Sequence, residues 1–176
     1  MHAAKAVDAN CLKKHFLPVV LVLSDNRMEV IMLKILIAED DLTSRKFLGS
    51  FLSQFGECDI VVDGLEAIDA YMISMREKKP YDLICLDIMM PKIDGVKVLK
   101  AIRDIETNKF ILPEKRVKII MTTALSEAEL VQEAFLYGCE AYASKPIKTD
   151  KFIEVMQKIG LNFELKQSKN TNTTEN

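Results

Sequence analysis

The chain has 176 residues, 49% of them apolar and 28% charged, which is room for one domain with a substantial core and too apolar for a disordered chain. Its 24 basic and 26 acidic residues leave a formal charge of -2, so nothing in the balance favours a polyanion, and nucleic acid is set aside as a direct partner. His2 and His15 are the only histidines, and Cys11, Cys58, Cys85 and Cys139 form no C-x-x-C pair, which removes most zinc and triad chemistry from the body of the chain.

In chain order, residues 1 to 31 stand apart from the rest. His15 to Leu23 is an apolar run, preceded by Lys13 and Lys14 and interrupted by Pro18. It lacks a small-x-small cleavage site and is too short to span a bilayer, so neither a signal peptide nor a membrane span is expected. The preferred expectation is a native start at Met28 or Met32; an accessory strand or interaction segment is the alternative. From Leu33 the pattern becomes regular. Leu33 to Ala38 reads as a buried strand that closes on Glu39, Asp40 and Asp41. Phe47, Leu48, Phe51, Leu52 and Phe55 then recur at helical spacing, with Gly56 as the expected stop. Cys58 to Val62 makes a second strand, and Leu65, Ile68, Tyr71, Met72 and Met75 line a second helix after the Asp63-Gly64 turn.

The third strand is the apolar run Leu83 to Leu86, which delivers Asp87 to its end before Pro91 and Asp94-Gly95 break it. Asp94 is placed to cap a helix that buries Val98, Leu99, Ile102 and Ile105. Glu106 to Arg116 then reads as a long polar surface loop. Val117 to Met121 forms a fourth strand, and Ser126 is the expected cap of a helix through Val131, Ala134 and Phe135 that Gly138 ends. Ala141 to Ser144 is a short fifth strand, and Phe152, Val155, Met156 and Ile159 line the last helix. The methionines, Met72, Met89, Met90 and Met121 among them, are expected mostly as core filler. From about Gln167 the sequence is polar and expected to be a disordered tail. The organisation is therefore an N-terminal extension over 1–31, one domain over 32–166 and a tail over 167–176, with no output domain expected. Five strands alternating with five helices predict an α/β fold, a parallel sheet covered on both faces.

In such a sheet the residues after strands one, three, four and five share one edge: Glu39, Asp40, Asp87, Thr122 or Thr123, and Lys145. Any one acid there reads as a helix cap or a solvated carboxylate, the reading given to Asp41, Asp63, Asp82 and Asp94. The set is different, because three carboxylates packed in one cleft raise at least one pKa unless a cation joins them. Magnesium suits that oxygen set better than zinc.

Glu39-Asp40, the run from Leu86 to Pro91 with Asp94-Gly95, Thr123-Ala124 and Lys145-Pro146 resemble the response-regulator receiver family of two-component signalling, over roughly Leu33 to Leu165. The resemblance implies a flavodoxin-like, doubly wound five-stranded sheet in the order 2-1-3-4-5. It implies that Asp87 accepts a phosphoryl group from a sensor histidine kinase or a phosphotransfer protein. Asp40, Asp87 and the Met89 carbonyl would hold magnesium, or manganese in its place, with Glu39 acting through water. Lys145, the Thr123 hydroxyl and the Ala124 and Ile88 amides would bind the phosphoryl oxygens. Lys145-Pro146 matches a bond the family keeps in cis. Thr123 and Tyr142 match the family's switch pair, which reshapes the face of helix four, strand five and helix five for a downstream protein partner. Met89 and Leu125 occupy positions that tune phosphoryl lifetime, and both being apolar implies slow hydrolysis. A cytoplasmic, membrane-free, self-modifying signalling domain is the expectation. Two alternatives remain: an aspartate-nucleophile phosphatase, which the apolar Met89 opposes, and a constitutive interaction module with an idle site.

Overall fold

The computed structural model describes residues 32–124 and 128–163. The expectations for the N-terminal extension, Leu125, Ser126 and the tail lie outside the described residues. Five strands, β1 (Leu33–Ala38), β2 (Gly56–Val61), β3 (Leu83–Asp87), β4 (Lys118–Thr123) and β5 (Ala141–Ser144), alternate with five helices. These are α1 (Leu42–Leu52), α2 (Gly64–Arg76), α3 (Gly95–Asn108), α4 (Ala128–Leu136) and α5 (Thr149–Lys158). All pairings are parallel and the order is β2-β1-β3-β4-β5, the flavodoxin-like receiver arrangement.

Two cores explain why the central strands are apolar without alternation. Leu36, Ile84, Leu86, Ile119 and Met121 face one side, against Tyr71 of α2, Leu99 and Ile102 of α3 and Ala134 of α4. The intervening residues Ile35, Ile37, Leu83, Cys85 and Ile120 face the other, against Leu48 and Phe51 of α1 and Phe152 and Met156 of α5. Strand side chains point alternately to the two faces, so a strand covered on both must be apolar at every position. β3 is buried throughout. This rigid strand carries Asp87 at its end.

Several local expectations change. Gly56 does not stop a helix: α1 ends at Leu52, and Gly56 opens β2 in register with Leu33. A Cβ on Gly56 would stand 1.9 Å from the Leu33 carbonyl oxygen, so the glycine is there for close approach of two strands. The stretch from Glu106 is not all surface loop. α3 continues to Asn108, a 3-10 turn follows at Pro113–Lys115, and Glu106 is fully buried. The side chains of Phe47, Leu65, Met72, Met89 and Phe135 are largely exposed, whereas Met90, Met121 and Met156 are core. Phe47, Leu65 and Met72 lie on exposed parts of their helices, Phe135 lies on α4 against the ring of Tyr142, and Met89 lies on a loop beyond the sheet. Asp41, Asp63 and Asp94 do cap α1, α2 and α3.

Candidate functional site

The strand ends bring the expected residues together at one edge. β1 releases Glu39 and Asp40 between the sheet and the start of α1. Arg45, one turn into that helix, donates from Nη1 to the carbonyls of both residues at 2.8 Å, which fixes the acidic turn to α1. The Asp41 side chain accepts from the Ser44 amide at 2.8 Å, while the Asp41 amide points back at Glu39 Oε1 at 3.3 Å. Glu39 is fully buried and Asp40 exposed.

Asp87 ends β3 almost completely buried. Past it the chain turns sharply. The Ile88 amide donates to Thr122 O at 3.0 Å, and the Gly95 amide returns to Ile88 O at 2.9 Å. Gly95 must be glycine here, because a Cβ would lie 2.1 Å from the Asp87 carbonyl oxygen. Thr122 and Thr123 are both buried at the end of β4, Thr122 as the core-facing residue expected. The Lys145 amide donates to Thr123 O at 2.7 Å, and the Lys145-Pro146 bond is cis, as the resemblance implies.

These backbone ties aim Lys145 at the acids. Its ammonium lies 2.9 Å from Asp87 Oδ1, and 3.0 and 2.9 Å from the two oxygens of Glu39. Carboxylate oxygens of Glu39, Asp40 and Asp87 lie within 4.8 Å of one another. At an effective dielectric near 20, two like charges at such a distance repel by roughly 3 kcal/mol, so the cluster demands cationic charge. Lys145 supplies one. Burial pushes the Glu39 carboxyl above the usual range; the Lys145 hydrogen bond opposes that shift, and the Asp87 charge adds to it. Burial also works against the Lys145 ammonium, but its hydrogen bonds to Asp87 and Glu39 outweigh it and hold the lysine above its ordinary pKa.

The remaining expected residues surround this centre. Thr123 Oγ1 lies 2.9 Å from Ala124 O, and Ala124 is exposed at the rim. Tyr142 is about half exposed on β5, its ring edge-on to Phe135 of α4 with centroids 6.1 Å apart. Two residues escaped the sequence reading. Arg45 gave a weak signal, a base one turn into the helix that follows three acids. Lys92, which reaches Asp63 from the loop after Pro91, gave none.

The family model described as response regulator receiver domain matches residues 35–157. The chain belongs to the receiver family. Among curated relatives, hybrid signal transduction histidine kinase L of Dictyostelium discoideum is 38% identical over 130 residues, covering 73% of this chain and 7% of that protein. Chemotaxis protein CheY of Treponema pallidum is 31% identical over 124 residues, covering 69% of this chain and 78% of that protein. The alignments to the kinases that match span only about 7 to 15% of those proteins. A CheX-CheY complex with BeF3 and magnesium from Borrelia burgdorferi superposes with a TM-score of 0.62 at 26% identity, covering 74% of this chain and 90% of that one. Receivers are signalling domains and not turnover enzymes in the ordinary sense, so the phosphatase alternative falls away. No helix among the described residues is long and apolar enough to cross a membrane.

Proposed function

We propose that this receiver takes a phosphoryl group onto Asp87 and signals through the protein contacts that follow. The observation that carries the reading is the convergence of Lys145 on Asp87 and Glu39 at the end of a fully buried strand. A carboxylate held there by packing is positioned before any donor arrives, and transfer needs positioning and charge compensation more than acid-base machinery. An Asp87 oxygen attacks phosphorus in line. The bond from phosphorus to the donor imidazole nitrogen breaks, that nitrogen keeps the electron pair, and an acyl phosphate forms.

The donor set fits a hard divalent ion: every candidate ligand is an oxygen, and the three carboxylates already approach within 4.8 Å. Asp40, Asp87 and the Met89 carbonyl would hold it, with Glu39 acting through water. When bound, magnesium or manganese neutralises the acids and the charge on the phosphoryl oxygens. Lys145 then exchanges its carboxylate partner for a phosphoryl oxygen. The Thr123 hydroxyl and the Ala124 amide donate to the other oxygens; the Ile88 amide, expected to join them, is instead committed to Thr122 O at 3.0 Å in the β3–β4 ladder. Movement of Thr123 opens space for Tyr142 to leave Phe135 and turn inward, which alters the face made by α4, β5 and α5 for a downstream protein. Several relatives are hybrid signal transduction histidine kinases, which supports a kinase or phosphotransfer histidine as the donor.

Acetyl phosphate with magnesium tests the assignment. One phosphate should add by mass, and Asp87→Asn should abolish the addition. Unchanged labelling of Asp87→Asn would refute it.

A further inference from the structure

The loop that joins β3 to α3 contains an unusual backbone position. Lys92 sits at φ 66, the left-handed region that favours glycine. Such strain persists only where the surroundings impose it. Here the Lys92 ammonium forms an ion pair with Asp63 Oδ2. The Asp63 side chain is 4% exposed, and its other oxygen accepts from the Leu65 and Glu66 amides at 2.9 and 3.0 Å. The carboxylate that holds Lys92 is thus itself fixed to the first turn of α2. Gly64, the next residue, lies directly beneath the loop: a Cβ there would stand 2.2 Å from Ile93 O.

We infer that Asp63 and Lys92 form a latch that orients the Met89 carbonyl, making both of them positioning residues for the divalent ion; this rests on the metal assignment made above. Met89 lies between two tethers. On one side the Gly95 amide binds Ile88 O at 2.9 Å, and on the other Lys92 binds Asp63. Between them the Ile93 amide closes a tight turn onto Pro91 O at 2.8 Å. A carbonyl in so short a segment has little freedom once both ends are held. Without the ion pair, only the Ile93-to-Pro91 turn hydrogen bond holds the left-handed conformation at Lys92, and the segment relaxes away from the acids. Asp63 and Lys92 touch neither the ion nor the phosphoryl group; they act through the backbone.

Calorimetric titration with magnesium chloride tests the latch on the wild type, Asp63→Asn, Lys92→Met, Lys92→Arg and the Asp63→Asn/Lys92→Met double variant. Asparagine keeps the capping acceptor, so α2 retains its start. Each of Asp63→Asn and Lys92→Met should weaken magnesium binding by roughly tenfold. The double variant should lose no more than either single one, and Lys92→Arg should restore most of the affinity. Lys92→Gly, which adopts a positive φ freely, separates backbone strain from the ion pair: it should be no less stable in EDTA than Lys92→Met and still bind magnesium more weakly than the wild type. Wild-type affinity in the single variants, or losses that multiply in the double variant, would overturn the latch alone. Absence of Asp87-dependent binding in the wild type would overturn the metal assignment and the latch with it.

Discussion

Lys145 Nζ lies 2.9 Å from Asp87 Oδ1, and the same ammonium grips both oxygens of buried Glu39. One lysine thus balances a cluster that would otherwise hold only acids. Removing one partner of a buried pair leaves an uncompensated charge and costs about 3 to 5 kcal/mol, less where one partner stays partly solvated, as Lys145 does.

Lys145→Met should therefore destabilise the fold in EDTA by about 2 to 3 kcal/mol, at or just below the lower limit of that range. Millimolar magnesium should recover much of the loss, because the ion replaces the missing positive charge. Thermal unfolding with EDTA and with magnesium checks this. An equal loss in both conditions would show that the lysine is not the acids' counter-charge.

Acid stability should report on Asp63. The Lys92 ammonium, then the Glu66 and Leu65 amides, hold its carboxyl below the ordinary range. A depressed folded pKa means that the unfolded chain binds more protons, so the stabilisation is present above about pH 4 and is lost as pH falls through the folded value. Asp63→Asn should be less stable than wild type at pH 7, and the gap should close as the pH is lowered below about 4. Urea unfolding at several pH values measures it; a gap independent of pH would contradict the pairing.

What the sequence shows of this molecule follows from how local each signal is. The strand runs, the period of the helices and the acids at strand ends are written within a few residues of one another, and the parallel sheet with its edge cluster followed from them. Contacts between distant residues are not written that way. Glu106 looked like the first residue of a polar loop, because its partners Tyr71, Arg103 and the Val117 amide lie 35, 3 and 11 positions away. Gly56 looked like a helix stop, because its reason is the Leu33 backbone across the sheet. Asp63 was correctly a cap, but the Lys92 pairing depends on a left-handed turn that lysine does not announce.

That buried network gives a third prediction. Arg103 uses its whole guanidinium: Nε and Nη2 donate to Gly138 O at 3.0 and 2.9 Å, Nη2 also to Glu140 at 3.1 Å, and Nη1 to Glu106 at 2.7 Å and Val117 O at 3.1 Å. It thereby joins α3, the start of β4 and the turn after α4. Arg103→Met should cost about 3 to 5 kcal/mol, because Glu106 is left charged and buried. Arg103→Lys should rescue little, since an ammonium cannot copy the planar fork. Adding Glu106→Leu to Arg103→Met should recover part of the loss. Denaturant unfolding of the wild type, Arg103→Met, Glu106→Leu and the double variant supplies the cycle, and strict additivity would count against a coupled network.

Two glycines, one opening β2 and one just past the end of α5, give a sharper contrast. At Gly56 a methyl group would overlap the Leu33 carbonyl at 1.9 Å, and backbone on both sides has nowhere to move without breaking the pairing of β1 with β2. At Gly160 no atom lies within 4 Å of the added carbon, but φ is +85°. Gly160→Ala therefore meets only the cost of a left-handed residue, about 1 kcal/mol. Gly56→Ala should cost more, about 3 kcal/mol or above, as overpacking against fixed backbone does. It should also loosen the start of β1, six residues before Glu39, so amide exchange at Leu33 and Lys34 should speed up in Gly56→Ala and not in Gly160→Ala. Equal stability of the two variants would mean that β2 can shift to admit the methyl group, and the close approach would then not be what requires glycine.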